Sequence, residues 1–152
     1  MRSTTKGTKG ADDRRPTHRR RTDPGRRTVV AMIGIGVDAV DIERFRRSLQ
    51  RTPTMLDRLF VDSEREDAGR RPDPVPSLAA RFAAREATMK ALGVGLGAFG
   101  FHDVYVVRAS SGAPSLFVRD RASELAAERG VTRWHLSLTH TDHLAIAFVT
   151  AE

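Results

Sequence analysis

The segment from Leu78 to Leu92 constrains this chain more than any other. Leu78, Phe82, Met89 and Leu92 recur at helical spacing and form one bulky apolar stripe. Ala79, Ala83, Glu86, Lys90 and Gly93 fall on an adjacent face lined by small residues, which suits close approach of a ligand or tight helix packing. Ser77 is the expected cap at the start and Gly93 the expected stop. Within the segment Glu86 and Lys90 stand four apart, so a carboxylate and an ammonium share one helix face within reach of a common ligand. Such pairs usually decorate a solvated face. Here a glycine-flanked aspartate lies upstream in Ile33-Gly-Ile-Gly-Val-Asp38, and a histidine ends a strand-like run downstream in His135-Leu-Ser-Leu-Thr-His140.

A chain of 152 residues with 39% hydrophobic side chains fits one compact domain. It contains no apolar run of the roughly 18 to 20 residues a bilayer span requires. The N-terminus has charges but no apolar stretch before a cleavage site, so no secretory signal is expected and the default location is cytoplasmic. The absence of cysteine excludes disulfides, thiolate metal sites and cysteine nucleophiles together. The net charge of +7 raises the question of nucleic acid, but its location answers it. Ten of the 26 Lys and Arg, and three of the 19 acidic residues, lie in residues 1–31, which leaves a body balanced at sixteen of each. Residues 1–31 have almost no large apolar side chains before Val29 and read as a basic, disordered extension. They could bind nucleic acid nonspecifically, but no interleaved aromatics accompany the charge. Residues 32–152 form the expected domain, and Met32 is an alternative start.

Along the body, Ile33 to Val37 predicts a short strand whose two glycines admit a close neighbour. Asp41 is placed to cap a helix from Ile42 to about Arg51, with Ile42, Phe45 and Leu49 on one side. A short helix follows around Met55 to Phe60, another turn at Ser63 to Ala68, and a proline-rich loop over 69–76. Val104–Val107 and Ser115–Val118 flank a turn signal and predict a hairpin. Arg121 to Glu128 predicts a helix closed by Gly130. Trp134–Leu138 and Leu144–Val149 predict two more strands joined by Thr139-His-Thr-Asp-His143. The expected class is α+β, with a mostly antiparallel sheet packed on a long central helix.

Asp38 and Glu86, from separate elements, make a minimal site for a hard cation. Oxygen ligands suit Mg²⁺, which keeps waters and accepts substrate phosphate oxygens. Zinc is disfavoured, because the five histidines show no helix-type pairing and there is no cysteine. Gly93-Val-Gly-Leu-Gly97 follows a helix instead of opening one, and so is neither a P-loop nor a dinucleotide fingerprint.

Three segments together resemble the holo-acyl-carrier-protein synthases, the small type of 4′-phosphopantetheinyl transferase. The first is Gly34 to Asp38, followed by a helix that carries Arg44. The second is Arg81 to Ala91, with Arg85 where the family pattern has Lys. The third is Ser137 to His140, followed by the small apolar residues of Ala145 to Val149. Arg58 to Glu64 and the Gly112-Ala-Pro114 turn also fit. The resemblance runs from about Met32 to the C-terminus and leaves the basic extension unexplained. Arg for Lys at position 85 keeps the charge but not the geometry.

The resemblance implies transfer of the phosphopantetheine arm of coenzyme A to a serine of an apo acyl carrier protein, with release of adenosine 3′,5′-bisphosphate. It implies that Asp38 and Glu86 hold Mg²⁺ (Mn²⁺ being the alternative) and that Lys90 places its ammonium on the phosphates. Arg81, Pro114, Thr139 and His140 would line the adenosine and 3′-phosphate end, contributed by a neighbouring subunit of a homotrimer. Glu86, Asp38 and a metal-bound water all remain open as the general base. Arg44, Arg46, Arg47 and Arg51 spread along the first helix beside Asp38, and Arg44 is the expected docking residue for an acidic carrier. Three rivals remain: another metal-dependent nucleotide enzyme, a nucleic-acid binder driven by the extension, and an inactive carrier-binding module.

Overall fold

The structure, a computed structural model, describes residues 31–152. The expectation of a disordered basic extension therefore falls, apart from Ala31, outside the described residues. Among the described residues, five strands and four shorter α-helices are arranged around one long helix. In chain order they are β1 (Gly34–Asp41), α1 (Ile42–Arg51), α2 (Met55–Leu59), α3 (Asp62–Gly69), α4 (Val75–Ala91), β2 (Val104–Arg108), β3 (Pro114–Val118), α5 (Asp120–Glu128), β4 (Trp134–His140) and β5 (Leu144–Ala151). Strands β1, β5 and β4 form one sheet in that order, and β2 and β3 form a separate hairpin. Each described pairing is antiparallel. The class is α+β, as the sequence indicated.

Helix α4 lies against the inner face of the three-stranded sheet at unusually short range, and two glycines permit it. A Cβ on Gly34 would collide with the Ala91 carbonyl, and one on Gly36 with the Ala87 carbonyl. The close neighbour expected at these glycines is thus the helix backbone itself. The alanine-lined face answers the same need: Ala83, Ala84, Ala87 and Ala91 pack against Ala147, Val149 and Val106. The bulkier stripe diverges. Leu78 and Phe82 join Ile42, Phe45 and Phe60 beneath α1 and α2, whereas Met89 and Leu92 pack with Val104, Ala122 and Leu125 against the hairpin and α5.

Two expected boundaries move. Helix α4 begins at Val75, with Pro76 in its first turn, where a missing N–H costs nothing. Asp73 Oδ1 accepts from the Val75 amide at 3.0 Å, so Ser77 is inside the helix and is not its cap. Strand β4 runs on through Thr139 and His140, which pair with Ile146 and Ala145, so these two residues belong to the sheet and not to the connecting loop. Asp41 does cap α1, its Oδ1 accepting from the Arg44 amide at 2.7 Å. Gly93 and Gly130 take φ values of 65° and 76°, the left-handed backbone that ends α4 and α5. No helix among the described residues is long and apolar enough to cross a membrane.

Candidate active site

Strand β1 alternates, so Ile35 and Val37 face outward while Gly36 and Asp38 face α4. Only 8% of Asp38 is exposed. Opposite it, α4 presents Glu86 and Lys90 one turn apart. Lys90 Nζ donates to Asp38 Oδ1 at 2.8 Å and to the Val37 carbonyl at 2.9 Å. Asp38 Oδ2 is buried and has no hydrogen-bond partner. Burial pushes the Glu86 carboxyl up from 4.5 to about 7; the facing Asp38 adds to the rise by sharing a proton and by its charge, and Lys90 opposes it. Asp38, Glu86 and Lys90 line a cavity of about 260 Å³ with Met89, Val94 and Leu96. Two partly dehydrated carboxylates with one free oxygen fit a hard cation that brings its own waters. No cluster of three or more His, Asp or Glu that could hold a metal is present among the described residues, so any such ion depends on water and substrate for its other ligands.

A second cavity, of about 290 Å³, is lined by Arg81, Pro114, Thr139 and His140 together with Arg71, Ser77 and Arg108. The four residues assigned to the adenosine end thus meet in one place, although they come from α4, β3 and β4. Arg81 is 3% exposed and donates to the Ser77 carbonyl and hydroxyl and to Asp67. Burial pulls its guanidinium down from the ordinary value, against the attraction of Asp67 and Glu64. This pocket and the carboxylate cavity share no lining residue within one chain.

The third cavity, about 460 Å³, lies between α1 and α4. Arg44, Phe45, Ser48, Met55, Phe82 and Glu86 are among its walls. The Phe45 and Phe82 rings stack there with centroids 5.5 Å apart. Arg44 is exposed, and this cavity connects it with Glu86. The neighbouring arginines differ in kind. Arg46 is held by Asp73, with Nη1 at 3.1 Å and Nη2 at 2.7 Å, and by Glu43 at 3.0 Å. It ties α1 to the start of α4.

Beneath these pockets lies an ion pair that the sequence reading missed. Arg85 and Glu64 both lie in the core, 0% and 1% exposed. Arg85 also donates to the carbonyls of Phe101 and Arg81, and its guanidinium lies over the Phe60 ring at 5.1 Å. Glu64 Oε1 accepts from the Val106 amide at 2.9 Å. The pair therefore joins α3, α4 and β2. Helix α3 reads as a solvated charged turn because its sequence has almost no apolar residue. The one available sign was that Glu64 closes the Arg58–Glu64 stretch that fits the family pattern.

A family model described as the 4′-phosphopantetheinyl transferase superfamily matches residues 34–149. A holo-[acyl-carrier-protein] synthase of Clavibacter michiganensis is 51% identical over 119 residues, covering 78% of this chain and 94% of that protein. One from Salinispora arenicola is 46% identical over 121 residues, covering 80% and 98%. The crystal structure of the Neisseria meningitidis synthase superposes with a TM-score of 0.73 at 32% identity, covering 80% of this chain and 99% of that one. The Helicobacter pylori synthase, solved in complex with coenzyme A, gives 0.69 at 29% identity, with 78% and 99% covered. The chain belongs to the holo-[acyl-carrier-protein] synthases of the 4′-phosphopantetheinyl transferase superfamily.

Proposed function

We propose that this protein moves the 4′-phosphopantetheine group of coenzyme A onto a serine of an apo acyl carrier protein and releases adenosine 3′,5′-bisphosphate. The observation that carries the reading is the convergence of Asp38, Glu86 and Lys90 from two elements on one cavity, in a chain of this family. In the reaction the serine oxygen bonds to the phosphorus that carries the pantetheine arm. The bond from that phosphorus to the bridging oxygen breaks, and the serine proton is lost. Little covalent chemistry falls to the protein, so catalysis rests on positioning and on charge neutralisation.

Each residue then has a task. Asp38 and Glu86 would hold Mg²⁺, which supplies charge stabilisation at the pyrophosphate. Lys90 places a cation beside the same carboxylates, where it can meet a phosphate oxygen. Arg81, Pro114, Thr139 and His140 form the wall for the adenosine end. Arg44 is exposed and lines the same cavity as Glu86, a suitable place for an acidic partner to bring its serine.

The assembly we favour is a homotrimer in which one subunit supplies the carboxylates and its neighbour the adenosine pocket. The two pockets are separate within one chain, and a ligand as long as coenzyme A must reach both. The outer face of the sheet supports this. Ile35, Val37, Leu144 and Phe148 are 53%, 47%, 41% and 40% exposed, and Val37 pairs directly with Phe148. An apolar sheet face of this kind is a candidate subunit contact. Thr139, on the same face opposite Ile146, links it to the adenosine pocket. Incubation with coenzyme A, Mg²⁺ and apo carrier tests the function: adenosine 3′,5′-bisphosphate should appear only when all three are present. Its formation without carrier would indicate a pyrophosphate hydrolase instead.

A further inference from the structure

Asp67, at the end of α3, accepts from two arginines that come from different elements. Its Oδ2 takes a hydrogen bond from Arg81 Nη2, on α4, and another from Arg108 Nε, at the end of β2, at 3.2 Å. Partial burial works against the charged carboxyl, but the two guanidiniums outweigh it and hold Asp67 below the usual carboxylate range. Both arginines line the pocket that also contains Arg71, Pro114, Thr139 and His140.

The two guanidiniums are not equivalent. Arg81 is nearly inaccessible and occupied by Ser77 and Asp67. The Arg108 side chain is 42% exposed. Its Nε is fixed by Asp67 and its Nη1 by the Gly112 carbonyl at 3.2 Å, while Nη2 makes no hydrogen bond among the described residues. Gly112 sits in the turn at φ 84°, two residues before Pro114. Arg108 is thus clamped between a carboxylate and a turn, with one donor group left over in a cavity that has more cations than anions. A guanidinium held this way loses little freedom when it meets a phosphate, and its fork matches two phosphate oxygens. Asp67 alone would do no more than neutralise one of the two cations. Holding them together, it sets their spacing.

We propose that Arg108 is a specificity-determining phosphate contact of this pocket and that Asp67 is the residue that positions it. The inference rests on the coenzyme A reading above, under which the phosphate is the one on the 3′ carbon of the ribose. It names two residues that the sequence did not suggest, and it makes discrimination between coenzyme A and 3′-dephospho-coenzyme A depend on them.

The test compares the two substrates in steady-state transfer to an apo carrier, using the full chain and matched Mg²⁺. Loss of a charge-assisted hydrogen bond should raise KM for coenzyme A about 10-fold or more in Arg108→Gln, with kcat nearly unchanged. KM for dephospho-coenzyme A should stay within about 2-fold, so that the preference for coenzyme A collapses. Asp67→Asn should move the same ratio in the same direction by a smaller factor, and Asp67→Glu should restore part of it. A purely structural bridge would lower the melting temperature and affect both substrates equally. If Arg108→Gln does not fold, Arg108→Lys, which keeps the charge without the fork, carries the comparison. Equal losses on both substrates, or an unchanged preference, would overturn the role of Arg108. An unchanged ratio in Asp67→Asn alone would overturn the positioning role. A wild-type protein that transfers from neither substrate would defeat the proposed function itself, which is a separate outcome.

Discussion

Lys90 Nζ lies 2.8 Å from Asp38 Oδ1, although 52 residues separate them in sequence. This contact fixes α4 on β1 at the site and leaves Asp38 Oδ2 as the bare oxygen. The close packing of α4 on the sheet rests on Gly34, Gly36 and the alanine face, so removing either carboxylate should affect turnover far more than stability. Asp38→Asn and Glu86→Gln should each lower Mg²⁺-dependent transfer about 100-fold or more, since a neutral amide is a poor ligand for a hard cation. Circular dichroism should show the fold retained. Near-normal transfer in either variant would remove that residue from the metal site.

The raised Glu86 carboxyl has a consequence for metal-free protein. Its folded value of about 7 lies above the ordinary 4.5, so the folded chain holds a proton that the unfolded chain releases in between. The contribution of Glu86 is therefore fully present below about 4.5 and is lost as pH rises through about 7. Melting temperatures of metal-free wild type and Glu86→Gln, measured from pH 4 to 8, should diverge across that window, the wild type losing ground as pH rises. Parallel curves would contradict the assignment.

Arginines on α1 should separate into two kinds. Arg44→Glu should lower kcat/KM for the carrier by about 10-fold or more while coenzyme A affinity by calorimetry stays nearly unchanged. Arg46 is engaged by Asp73 and Glu43, so Arg46→Ala should lower the melting temperature and alter carrier kinetics little. The reverse pattern would place docking on Arg46. The wild-type rate should also fall with salt, since exposed pairs are screened over about 8–10 Å near physiological ionic strength.

The buried pair gives a stability prediction. Arg85→Met leaves Glu64 charged in the core and should cost about 3–5 kcal/mol in denaturant unfolding, with the double variant Glu64→Leu, Arg85→Met recovering much of it. Arg85→Lys retains the charge but cannot reach Glu64, Phe101 and Arg81 together, and should fall between. Additive losses in the double variant would show that the pair is not coupled.

What the sequence disclosed, and what it concealed, follows from which interactions are periodic. Glu86 and Lys90 sit on a helix whose period is visible, and Asp38 on a strand marked by glycines, so that half of the site was legible. Gly34 and Gly36 correctly signalled close approach, but a glycine cannot say whether a ligand or a helix comes near. Glu64 and Asp67 looked solvated because α3 is short and polar, and Arg108 ends an apolar strand whose sequence does not show which residues it will meet. Thr139 and His140 were assigned to a loop because their polar character is that of a connection, whereas the ladder to β5 continues through them. The Pro76 turn misled for a local reason: proline breaks a helix interior but is tolerated in the first turn.

The central claim is that the chain transfers phosphopantetheine to a protein serine. It is tested most directly by the intact mass of an apo acyl carrier protein after incubation with this protein, coenzyme A and Mg²⁺. The carrier should gain one phosphopantetheine group, located on a single serine by fragmentation, and should gain none with Glu86→Gln in the same time. An unmodified carrier with wild-type protein, across carriers of both fatty-acid and polyketide type, would contradict the account.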